Sequence, residues 1–96
     1  MTHYVYILFS EKLNRYYTGE SADPTNRLRQ HNTGYFKSSS TKVTDDWNIF
    51  LTIECKSRAQ ALKLEKFIKK MRNRNFYERL KNEPKIIADL LKRFDV

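Results

Sequence analysis

Five side chains in this sequence are candidates for chemistry: Tyr6, Tyr17, Arg27, His31 and Glu65. The two phenols belong to aromatic runs, Tyr4 to Phe9 and Tyr16 to Gly19. Alternation in the first run sets Tyr4, Tyr6 and Leu8 on one face and Val5, Ile7 and Phe9 on the other, so one face carries hydroxyls. Taken alone, such tyrosines read most simply as packing residues at a sheet edge. Arg27 and His31 are four residues apart and so share one helix face, with both polar groups pointing the same way. Glu65 borders an apolar stripe of Ala61, Leu64, Phe67, Ile68 and Met71, leaning inward where Lys63, Lys66, Lys69 and Lys70 do not. Burying an unpaired carboxylate is costly, so Glu65 needs a partner.

The elements that must hold these groups follow from pattern and punctuation. The polar stretch from Ser10 to Arg15 is hairpin-sized, which returns the second run antiparallel to the first and brings Tyr6 and Tyr17 into one neighbourhood. Asp23 is a good N-cap with Pro24 at the first helical position, and Asn32-Thr-Gly34 supplies a stop. From Tyr35 to Asp46 turn residues without periodicity predict a loop, whose hydroxyls, Lys37 and Lys42 fit contacts to phosphates and an ordinary polar loop equally well. Trp47 to Cys55 alternates, with Trp47, Ile49, Leu51, Ile53 and Cys55 expected on one face. Ser57 and Gln60 form a capping box ahead of the stripe that carries Glu65. A short helix over Asn73 to Lys81 turns Phe76, Tyr77 and Leu80 inward. A final one, begun by Pro84, presents Ile86, Ile87, Leu90, Leu91 and Phe94. The expectation is an α/β (α+β) domain: a small three-stranded antiparallel sheet, with strands near 3–9, 15–19 and 47–55, flanked by helices.

Ninety-six residues suit one domain, 1–96, with a modest core. The single cysteine, Cys55, rules out an intrachain disulfide or a multi-cysteine zinc site, and no metal-type His/Cys cluster or Gly-rich phosphate loop occurs. With no signal pattern and no apolar run of membrane-spanning length, the expectation is a cytoplasmic protein without a membrane partner. The net charge is +8, and the stretch from Lys56 to Lys81 holds ten Lys/Arg against Glu65 and Glu78, so that this stretch carries the whole excess. Concentrated charge of this kind points to an anionic polymer, and nucleic acid outweighs a merely solvated helix or an anionic membrane. Lys63, Lys66, Lys69, Lys70, Arg72 and Arg74 are the expected contacts.

Taken in order, Tyr6, Tyr17, Arg27, His31 and Glu65 resemble the constellation of the GIY-YIG nuclease superfamily. The two aromatic runs correspond to its paired triplets, and the chain as a whole resembles the small single-domain bacterial endonuclease-like members. Tyr4 stands where the first triplet has glycine, Val5 where it has isoleucine, and Thr18 where the second has isoleucine. Glu20 follows the second triplet, and a carboxylate there would repel a phosphate. The resemblance implies metal-dependent hydrolysis of DNA phosphodiester bonds, on branched, single-stranded or damaged DNA. Glu65 would hold one Mg²⁺ or Mn²⁺, Arg27 would grip the scissile phosphate, and Tyr6 and Tyr17 would orient the attacking water, one of them accepting its proton. His31 would orient a phosphate or relay a proton, against a purely structural role. The alternative is a catalytically weak or inactive nuclease-fold module that binds nucleic acid.

Overall fold

The computed structural model describes residues 2–33, 44–71 and 73–95. Within them the chain runs β1 (His3–Ser10), β2 (Arg15–Ser21), α1 (Pro24–Asn32), β3 (Asn48–Cys55), α2 (Arg58–Met71), α3 (Arg74–Asn82) and α4 (Pro84–Arg93). The strands form one antiparallel sheet in the order β2-β1-β3. This is the α+β architecture expected from the alternation and the cap signals. The hairpin between β1 and β2 closes through Asn14 in the left-handed region, at φ 53°, a conformation that asparagine tolerates better than most residues. The predicted stop at Gly34, most of the loop that follows, with Lys37 and Lys42, and Arg72 lie outside the described residues.

Because β1 is central, both of its faces are covered. Val5 and Ile7 pack with Ile53, Cys55, Ala61, Leu64, Ile68, Leu80 and Leu90, which places α2, α3 and α4 on that side. On the opposite side Tyr6 and Leu8 pack with Trp47, Leu13, Tyr17 and Leu28 of α1. The expected single face of β3 is not what forms. The register slips between Ile7 and Leu8, so that Ile7 opposes Leu51 while Leu8 opposes Ile49. One extra residue in a strand turns every side chain beyond it to the other face. Trp47 therefore joins the Tyr6 cluster, and Phe50, expected opposite Ile53, packs against the Ile53 cluster.

Local signals place the helices. Asp23 accepts a hydrogen bond from the Asn26 amide at 3.1 Å, capping α1. At α2 the Gln60 amide donates to Ser57 Oγ at 3.1 Å, but the Gln60 side chain accepts from Lys56 N at 2.8 Å rather than closing the reciprocal bond to Ser57. Its other end donates to the Leu91 carbonyl at 2.8 Å and ties α4 to α2. Met71, predicted at the end of the buried stripe, is 41% exposed, because the chain leaves the core there. Asn32 holds the start of the third strand: its side chain donates to the Trp47 carbonyl at 2.9 Å and accepts from the Trp47 amide at 2.8 Å.

Candidate active site

Tyr6 lies directly across from Gly19 on β2, and Leu8 lies across from Tyr17, so both phenols emerge on one face. Gly19 is dictated by that proximity. A Cβ built there would stand 2.5 Å from the Tyr6 hydroxyl and 2.6 Å from Cζ, closer than any side chain tolerates. The buried Tyr6 hydroxyl is 2.9 Å from His31 Nε2. The Tyr17 ring stands 6.4 Å from that of Tyr6 and 4.9 Å from the imidazole, with Trp47 edge-on behind it at 6.3 Å. Arg27, one turn before His31 on α1, lines the same cleft. Glu65 enters from α2, whose apolar face covers the other side of the sheet. The two sides meet at β2, an edge strand, where Gly19 contributes no side chain. All five residues singled out by sequence line one pocket of about 220 Å³, completed by Gly19, Glu20 and Lys69.

Burial and charge set the protonation states. The Tyr6 phenol is pushed well above its ordinary value by burial first, then by the neighbouring Tyr17, Glu65 and Glu20, against the opposing pull of Arg27. His31 is pushed down to about 4, by burial and then by the Arg27 charge. Near neutral pH the imidazole is therefore uncharged and the phenol keeps its proton, an arrangement suited to Tyr6 donating to Nε2.

Glu65 finds the partner its position required. Its carboxylate is 3.3 Å from Lys69 Nζ, and the same ammonium stands 5.7 Å over the Tyr17 ring. Lys69 thus turns into the cleft, contrary to the expectation that it points away with its neighbours, because the acid one turn earlier and the aromatic face both attract it. Glu20, the departure that threatened phosphate binding, contacts the imidazole of His3, and both side chains are largely buried.

The donors facing the cleft are a carboxylate, phenols and an imidazole, with Glu20 at its border. Among the described residues no group of three or more His, Cys, Asp or Glu gathers as a metal cluster. That set fits a hard divalent cation such as Mg²⁺, which takes one or two carboxylates and keeps most of its waters, and does not fit a zinc-type centre.

Of the expected nucleic-acid contacts, Lys66, Lys69 and Lys70 line an open depression of about 730 Å³ with Leu62 and Glu65, adjoining the cleft. Lys63 is exposed on the same helix. Arg74 is not brought to them. Its guanidinium donates to the Asn14 carbonyl at 2.6 Å and stacks 5.5 Å over Tyr16, fastening α3 to the hairpin. The Glu65 to Lys69 spacing was a readable signal for Lys69, whereas nothing in the sequence joins His3 to Glu20 except a strand register.

A family model, the GIY-YIG catalytic domain, matches residues 2–81, a span that includes all five candidate residues. No curated protein and no solved structure matches the chain.

Proposed function

Since the chain belongs to the GIY-YIG nuclease superfamily, we propose that it is a divalent-metal-dependent endonuclease that hydrolyses DNA phosphodiester bonds. The observation that carries this reading is the convergence of Tyr6, Tyr17, Arg27, His31 and Glu65 on one small polar cleft at the edge of β2. Phosphodiester hydrolysis needs a grip on the anion, a base for water and relief of developing negative charge, and each has a group here. Arg27 offers its fork of donors to the phosphate. Glu65 is the anchor for Mg²⁺ or Mn²⁺, which when bound neutralises phosphate charge and acidifies water. Lys69 pairs with that carboxylate, and a cation held by Glu65 would leave the ammonium available to the substrate.

The base is a pair. A phenol whose acidity is suppressed is a poor acceptor on its own unless its own proton can leave. In this scheme water gives its proton to Tyr6 Oη while the Tyr6 proton passes to His31 Nε2, 2.9 Å away. Arg27 disfavours the resulting imidazolium, and a phosphate bound to Arg27 offsets that charge. Tyr17 orients the water from the second side.

The test is a panel of plasmid, single-stranded, flap and four-way-junction DNA incubated with Mg²⁺ or Mn²⁺, for the native chain and for Glu65→Gln. The native chain should cut at least one of them, and the variant should lose orders of magnitude of cleavage while DNA binding is kept. A Glu65→Gln protein that melts normally and still cuts removes Glu65 from the mechanism. Binding by the native chain without metal-dependent cleavage of any substrate leaves a nuclease-fold binding module in place of an enzyme.

A further inference from the structure

Past Arg27 the cleft adjoins a second depression, of about 380 Å³, and the two share Glu20 and Arg27 as a common wall. Its remaining polar lining converges from four elements: His3 begins β1, Ser21 ends β2, Asp23 caps α1 by accepting from the Asn26 backbone amide, Asn26 lies in the first turn of α1 and Arg58 opens α2. The polarity is graded. Ser21 is buried, and His3 and Glu20, in contact with each other, expose only 14% and 16% of their side chains, whereas Arg58 and the capping Asp23 are exposed. At the open end a guanidinium presents the planar donor fork that matches a phosphate. At the inner end stands a carboxylate whose direction is fixed by His3, with the Asn26 amide nearby. A second phosphate would be repelled there. The edge of a base carrying an exocyclic amino group would be accepted, since carboxylates take hydrogen bonds from the cytosine N4 amino group. The volume lies within the roughly 300–1,000 Å³ common for small-ligand sites.

We propose that this depression is a nucleotide subsite: it takes the nucleotide next to the scissile phosphate, with its own phosphate at Arg58 and its base edge at Glu20 and Asn26, and it prefers cytosine to thymine. Glu20 is then a specificity group held by His3 at the wall between the cleft and the depression. The assignment of this nucleotide to the cleaved strand rests on the nuclease reading, but its binding requires no turnover.

The experiment therefore reads binding alone. The ¹⁵N-labelled chain, without divalent metal, is titrated with oligodeoxycytidylate and oligothymidylate of equal length, which present the same backbone charge to the α2 lysines. The Ser21 and Ala22 amides and the Asn26 side-chain amide should shift, at several-fold lower concentration of the cytidylate. Glu20→Gln should narrow that difference, and Arg58→Ala should weaken both oligonucleotides by about ten-fold, the worth of a charge-assisted hydrogen bond. The spectra report folding of each variant, and Asn26→Ala, which should also narrow the difference, replaces Glu20→Gln if the latter unfolds. Shifts confined to α2, equal affinities for the two oligonucleotides, or a preference that survives these substitutions overturns the subsite. A protein that shows these shifts but cuts no DNA with any divalent metal overturns the nuclease reading and leaves the subsite standing.

Discussion

Gly19 has no side chain because the Tyr6 phenol occupies the place where one would be. Gly19→Ala should therefore act on the phenol, forcing it off His31 or prising β2 from β1. The expected cost is about 1–3 kcal/mol, the usual range for overpacking, read as a lower urea midpoint. Nicking activity should fall with it. Tyr6→Phe is the control: the ring and its packing stay, the buried hydrogen bond to Nε2 goes at a cost of about 1 kcal/mol in the midpoint, and cleavage should fall by far more than that loss explains. A Gly19→Ala protein of native midpoint and native activity would mean that Tyr6 does not need its observed position. Next to Gly19, the Thr18 hydroxyl is buried with no hydrogen-bond partner among the described residues, at the place where the family triplet has isoleucine. That departure costs an unsatisfied donor without touching the cleft.

Between elements, the tie that matters most for Glu65 is made by Gln60. It is buried, its carbonyl oxygen accepts from Lys56 N before α2, and its amide donates to Leu91 of α4. One side chain thus fixes both the entry of α2 and the helix that backs it. Gln60→Ala leaves those backbone groups without their partner, and the expected loss is about 1–3 kcal/mol in chemical denaturation. Activity of the folded fraction should persist, since no atom of the cleft is removed. A loss below a few tenths of a kcal/mol would show that water replaces both bonds. The slip in β3 works at the same scale: it sends Trp47 to back Tyr17 and leaves Phe50 on the other side, edge-on to Tyr16 with Lys81 4.6 Å over its ring.

For the molecule as a whole, two groups shape stability against pH in separate windows. The unfolded chain protonates His31 near 6.5, and the fold resists until about 4, so the unfolded state holds more protons between those values. Stability should be full above 6.5 and fall as pH drops from there toward 4. Asp46 is held down to about 2 by hydrogen bonds from Ser10, Thr44 and the Lys12 amide, so its contribution is present above its ordinary 3.8 and lost as pH falls toward 2. Urea midpoints across pH 7.5 to 2.5 should show both limbs, and His31→Gln should flatten the upper one alone. An upper limb unchanged in that variant would mean that His31 is not the group being charged. Much of this was legible in the chain itself. Alternation, caps and the hairpin loop determined the elements and put Tyr6 and Tyr17 on one side, because those signals are local and repeat with the period of the strand or helix. The inward lean of Glu65 and its need for a partner were equally readable from helical spacing. Tertiary structure alone decided the rest. The extra residue in β3, the meeting of the two sheet faces at an edge opened by Gly19, the capture of Glu20 by His3 and the return of Lys69 over Tyr17 all depend on which residues come opposite one another across strands and helices. A pattern within a single segment does not contain that information.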